Sequence, residues 1–197
     1  MSGATTPAPT GHEGLEPSPW IRRWSALLPP GARVLDVACG SGRHLAWLGA
    51  AGHRVCGVDR DAAALEAARA RPGGGDAELL HADLESAPWP LPGRRFDAVV
   101  VTNYLWRPLL PTLVESVAPG GLLLYETFAV GNETVGRPSN PDFLLRPGEL
   151  LDAVRGALRV VAYEDGFIDS PARFVQRIAA VREAGPMDAA APPRYAL

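Results

Sequence analysis

Apolar positions along this chain switch repeatedly between short continuous runs and helical spacing, and the two patterns predict different elements. Phe96 to Val101 (FDAVVV) is nearly unbroken, as a strand covered on both faces in the middle of a parallel sheet must be. Shorter runs of the same kind predict strands at Arg33–Ala38, Arg54–Val58, Glu78–Ala82 and Leu122–Phe128. Between them, Trp20, Ile21, Trp24, Leu27 and Leu28 recur at helical spacing until Pro29-Pro30-Gly31 stops them. Leu45, Trp47, Leu48 and Ala51 predict a second helix, which Gly52 ends, and Asp61 is placed to cap an alanine-rich third running to Ala70. Further helices are expected at Leu109–Val117 and Glu149–Ala157.

Strands that alternate with helices build a parallel sheet covered on both sides. Arg159–Tyr163 and Arg173–Arg182 read as two last strands, and the intervening Glu164–Ala172 is too short for the crossover that a parallel pair needs. The expected fold is therefore α/β, a Rossmann-like three-layer sandwich whose mostly parallel seven-stranded sheet finishes in an antiparallel C-terminal hairpin. Residues 1–16 and 185–197 have little to bury and are expected to be a disordered and a flexible tail around a single domain, residues 17–184.

Composition narrows the chemistry. The chain has 197 residues, enough for one domain, and its 19 basic residues against 22 acidic ones give a net charge of −3, which disfavours a nucleic-acid partner. Every basic residue is Arg, so Schiff-base chemistry and a phosphate-loop lysine are excluded. The two cysteines, Cys39 and Cys56, read as free buried thiols rather than a disulfide framework. No run of some 18 apolar residues and no signal-peptide core is present, so no membrane association is expected and the cytoplasm is the expected location.

The densest chemical signal is VLDVACGSGRHLAWLGAAGHRVCGVDRD, residues 34–61. Gly40 and Gly42 let the backbone turn sharply at a helix N-terminus whose N–H groups face outward. Asp59 ends the next strand, at the spacing from the Gly-rich turn that presents a carboxylate to ribose hydroxyls. A dinucleotide site wants a small third residue in its G-x-G-x-x-G pattern, and Leu45 stands there instead.

The D-x-x-x-G-x-G form of Asp36, Gly40 and Gly42 resembles motif I of class I S-adenosylmethionine-dependent methyltransferases. The resemblance spans roughly residues 20–183, and residues 42–61 look most like the small bacterial branch that includes tellurite and thiopurine methyltransferases. It implies S-adenosylmethionine as cofactor, with Asp36, Ala38, Gly40 and Gly42 in the cofactor turn, Asp59 and Arg60 at the ribose, Asp83 and Leu84 beside the adenine, and Asn103 at the methionine end. Ala38 departs from the family, which often has Gly there, and narrows the space beside the methionine moiety.

Two bland alternatives belong beside these roles. Asp83 also fits an ordinary turn acid in Asp83-Leu84-Glu85-Ser86, and Asn103 and Tyr104 also fit turn and packing residues. A metal site is not expected, because His44 and His53 at ~1.5 Å per residue stand about 13 Å apart on one helix.

Residues 129–150 (AVGNETVGRPSNPDFLLRPGEL) are long for a strand-to-helix connection and are expected to cover the substrate end of the cleft. No catalytic base is identified. Tyr104, Glu126 and Asn132, with Glu133, are the acceptor-side candidates, a structural role in the loop being the alternative for Asn132 and Glu133. The expected activity is methyl transfer to a small molecule; an RNA or protein methyltransferase and a non-catalytic cofactor-binding protein are the alternatives.

Overall fold

The computed structural model describes residues 16–72, 76–185 and 193–195. Seven strands form one sheet: β1 Arg33–Val37, β2 Arg54–Asp59, β3 Glu78–His81, β4 Phe96–Thr102, β5 Val117–Phe128, β6 Arg159–Asp169 and β7 Ala172–Val181. Their order is β3-β2-β1-β4-β5-β7-β6. The first five run parallel, and β7 pairs antiparallel with both β5 and β6. The expected architecture is the observed one.

Helices α1 Pro19–Trp24, α2 Arg43–Ala50, α3 Ala62–Ala70, α4 Leu110–Glu115 and α5 Glu149–Val154 cover the two faces. Successive side chains of a strand point to opposite faces, so each strand feeds two cores. Val34, Val100, Leu122 and Leu124 pack with Trp20, Ile21 and Trp24 of α1, Leu45 and Leu48 of α2 and Leu65 of α3. Leu35, Val37, Val99, Val101 and Leu123 pack on the other side with Leu113 of α4 and Leu150 and Val154 of α5. Asp61 caps α3 as expected, accepting from the N–H groups of Ala63 (2.9 Å) and Ala64 (3.1 Å).

Several boundaries differ from the sequence reading, and α5 ends at Val154, short of the expected Ala157. β5 starts at Val117, inside the expected helix, because Val117 pairs with Phe96. The C-terminal hairpin is longer than expected: Glu164 to Asp169 continue β6, and only Ser170-Pro171 turns the chain. The long connection after β5 is ordered, with 3-10 turns at Asn132–Thr134 and Pro141–Phe143 and a bridge between Ala129 and Leu145. The expected N-terminal tail lies outside the described residues except Glu16. Of the C-terminal tail, Gly185 and residues 193–195 are described, and the Tyr195 ring lies 5.8 Å from the Arg159 guanidinium carbon.

Candidate functional site

The carboxyl ends of β1, β2 and β4 meet at the Gly-rich turn. The Asp59 carboxylate latches that turn to β2: Oδ2 accepts from the Gly40 N–H at 2.7 Å and Oδ1 from the Asp61 N–H at 2.9 Å. A Cβ added at Gly40 would meet nothing within 4 Å, so the turn opens outward, whereas one at Gly42 would stand 2.6 Å from Ala68 Cβ of α3. Gly40 therefore faces space and Gly42 serves a close helix contact. Two non-glycine residues hold left-handed backbone here, Ala38 (φ 52°) after β1 and Asn103 (φ 55°) after β4, a conformation that L side chains adopt at a cost.

Two cavities flank the Asn103–Tyr104 segment. The first, about 180 Å³, is lined by Ala38, Asp59, Arg60, Leu84, Glu85 and Tyr104, together with Ala82 and Asp83. The Asp83 carboxylate caps its own turn, accepting from the Glu85 N–H at 2.9 Å and from the Ser86 hydroxyl. The Ser86 hydroxyl, then the backbone N–H groups, hold its carboxyl below the usual carboxylate range. The Tyr104 hydroxyl is buried without a hydrogen-bond partner, and burial, then the Glu85 and Asp83 charges, pushes the phenol up. Tyr104, an acceptor-side candidate of the sequence, thus lines the first cavity as a phenol that stays protonated.

Asp36 lies below this surface, 1% exposed, with neither carboxylate oxygen hydrogen-bonded. His44 Nδ1 is 3.7 Å from Asp36 Oδ2, and His44 Nε2 accepts from the Ser18 N–H at 3.1 Å. Because Nε2 is an acceptor, the imidazole proton sits on Nδ1, facing Asp36.

The second cavity, about 550 Å³, opens between the N-terminal segment at Ser18, the loop around Asn132–Arg137 and the hairpin tip at Ser170–Arg173. Asn103 and Glu126 face it. Glu126 is 2% exposed; Oε1 accepts from the Ser18 hydroxyl at 3.0 Å and Oε2 from Arg177 at 3.1 Å. Asn132 also borders it, yet its amide is spent within the fold, donating to the Pro138 carbonyl (3.0 Å) and accepting from the Phe174 N–H (3.2 Å). Glu133 is an exposed turn residue that accepts from the Gly131 N–H at 2.8 Å. These hydrogen bonds are of the kind the structural alternative expects, while Asn132 also lines the second cavity.

Sequence reading missed the arginines of this second cavity. Arg22, Arg43, Arg137 and Arg173 come from four separate segments, and nothing in local pattern connects them. A larger cleft of about 850 Å³ lies between Arg33, Arg54 and Phe96, at the amino ends of the strands. Ligands of open parallel sheets bind beyond the carboxyl ends, so the two smaller cavities are the candidate site.

A protein-family model described as a methyltransferase domain matches residues 34–121. A tRNA U34 carboxymethyltransferase from Methylococcus capsulatus is 36% identical over 132 residues, which cover 62% of this chain and 40% of the relative. A thiopurine S-methyltransferase from Pseudomonas entomophila is 43% identical over 58 residues, covering 28% of this chain and 27% of the relative. The chain thus spans less than half the length of either. A TehB-like SAM-dependent methyltransferase from Corynebacterium glutamicum superposes with a TM-score of 0.62 at 20% identity, covering 83% of this chain and 87% of that one, which establishes a shared fold.

Proposed function

We propose that the chain is a class I S-adenosylmethionine-dependent methyltransferase that transfers a methyl group from that cofactor to a small-molecule acceptor in the second cavity, a reading supported by the methyltransferase-domain match over residues 34–121 and by the shared fold. The observation that carries this reading is the pair of cavities on either side of Asn103–Tyr104, at the carboxyl ends of the strands.

The residues present fit the cofactor. The Gly40 backbone opens onto free space, the unpartnered Tyr104 hydroxyl and the Asp59 carboxylate border the first cavity, and Asp36 keeps a buried, unpartnered carboxylate behind the turn. Asp59 would hold the ribose hydroxyls with the lone pairs left over from its backbone bonds, and Leu84 would border the adenine. When bound, the cofactor would supply an electrophilic sulfonium methyl group with a neutral thioether as its leaving group.

This chain's own contribution is positioning. The Ser18 hydroxyl and Arg177 already engage the Glu126 carboxylate, and Tyr104 holds its proton, so neither is free to deprotonate an acceptor. Proximity and alignment then supply the rate enhancement, and the acceptor arrives as a nucleophile without help from a base.

A tRNA acceptor is the second reading, favoured by the likeness to the carboxymethyltransferase; the net charge of −3 weighs against it. Calorimetric titration with S-adenosylmethionine, S-adenosylhomocysteine and NAD tests the cofactor claim. Binding of the first two alone is expected, and failure of both to bind would withdraw the proposal. Turnover of thiols and metalloid oxyanions, compared with bulk tRNA, separates the acceptor classes. Binding without turnover of any of these acceptors would instead favour a cofactor-binding protein.

A further inference from the structure

We propose that the acceptor is an organic molecule bearing a carboxylate, and that Arg43, Arg137 and Arg173 recognise it in the second cavity. This rests on the methyltransferase reading and names its substrate class. Four arginines face the cavity, against two carboxylates, Glu16 and Glu126. Glu126 is already engaged by Arg177, whose Nη1 donates to it at 3.1 Å, with Arg173 Nη2 more distant at 3.9 Å.

Among the described residues the Asp36 and Glu126 charges act on Arg43 only from beyond ion-pair distance, and Arg177 divides its contacts between Glu126 and Glu164. Arg22, Arg43 and Arg137 have no carboxylate within ion-pair distance, and Arg173 Nε is buried without a hydrogen-bond partner. Arg43 reaches only the Thr102 hydroxyl, at 3.5 Å, and burial pulls its guanidinium pKa down. The partly buried Arg43 and Arg173 lose hydration without gaining a close anion, with exposed Arg137 at the rim, and one carboxylate offers the planar, two-pronged acceptor that a guanidinium fork fits.

Two further observations choose between sources of negative charge. The cavity of about 550 Å³ also carries the apolar surfaces of Pro17, Phe128 and Pro171, room and wall that a bare inorganic oxyanion leaves unused. The arginines converge inside one cleft instead of spreading along a face, unlike the basic stripe that tracks a nucleic-acid backbone.

The test is calorimetric titration of the full chain, with and without S-adenosylhomocysteine, using benzoate, its neutral isostere benzamide, phenyl phosphate and selenite. Benzoate binding is expected, with benzamide undetectable. Exposed Arg137 is replaced in Arg137→Gln, which is expected to weaken benzoate about tenfold or more while S-adenosylhomocysteine affinity holds. Benzamide matching benzoate, no benzoate binding, or undiminished benzoate affinity in the variant overturns the proposal. Tighter phenyl phosphate, or selenite binding alone, also overturns it, in favour of a phosphate monoester or an inorganic oxyanion. If S-adenosylhomocysteine fails to bind, the methyltransferase reading falls separately, and benzoate on the unliganded protein still decides the carboxylate site.

Discussion

Leu45 of α2 fills the space that a side chain on Gly57 of β2 would need: a Cβ there would lie 2.6 Å from Leu45 Cδ1 and 2.8 Å from Cys39 Sγ. Dinucleotide sites gain close helix-to-strand contact from a small residue on the helix; here the strand supplies it. Gly57→Ala is therefore expected to overpack this contact and destabilise the protein by about 1–3 kcal/mol. Urea denaturation checks this through a lower midpoint at unchanged slope.

Asp59 joins two roles, latching the Gly40 and Asp61 backbone and bordering the first cavity. Asp59→Ala should lose about tenfold or more in S-adenosylhomocysteine affinity and roughly 1–2 kcal/mol of stability, because two backbone N–H groups lose a charged acceptor. The chain should remain folded, since this carboxylate sits at a strand end outside both cores. Calorimetry and a thermal melt separate the two effects; wild-type affinity in the variant would count against the ribose assignment.

Ala38 sits at φ 52°, where a Cβ is unfavourable by roughly 1–2 kcal/mol, and glycine's extra freedom in the unfolded chain returns about half of that. Ala38→Gly is expected to raise stability by up to ~1 kcal/mol. A melting temperature that falls instead would show that Ala38 packs more than it strains.

Glu149 gives the protein an acid-sensitive clamp. Arg107 Nε and Nη2 donate to its two carboxylate oxygens at 2.7 and 3.0 Å, and the same guanidinium donates to the Asp142 and Leu144 carbonyls. Burial pushes the Glu149 pKa up, but Arg107 and the Arg146 N–H outweigh it and hold the carboxyl below its usual range. A depressed folded-state pKa means stability that is present above the ordinary value near ~4.3 and lost as pH falls below it through the folded value. Glu149→Gln should flatten that acid limb. Hydrogen exchange across residues 140–149 is the check: relative to the intrinsic rate at each pH, wild-type protection is expected to fall between pH 6 and 3, and that of the variant to stay low and nearly independent of pH.

Most of the parallel half of the sheet was legible because β1, β2, β4 and β5 are largely buried and read as continuous apolar runs, FDAVVV above all, whereas β3 at the edge is half exposed. The hairpin was legible in kind but not in length. β6 is largely exposed, so Glu164, Asp165 and Gly166 carry no alternation, and their strand state comes from pairing with Arg177, Gln176 and Val175. Gly57 did offer a signal, a lone glycine inside a strand pattern, which marks a close approach. Asn132 shows the converse limit: which groups an amide meets in a folded loop is set by Pro138 and Phe174, and spacing cannot reveal it. The arginine cluster was invisible for the same reason, since positions 43, 137 and 173 meet only once the sheet is assembled.

Ser18 touches both halves of the site. Its backbone N–H donates to His44, which stands against Asp36 behind the Gly-rich turn, and its hydroxyl donates to Glu126 in the wall of the arginine-lined cavity. A ligand that shifts Ser18 from one side alters the hydrogen bonding on the other. Coupling through this buried serine is reciprocal by thermodynamics: whatever factor cofactor loading imposes on acceptor affinity, acceptor binding imposes on the cofactor.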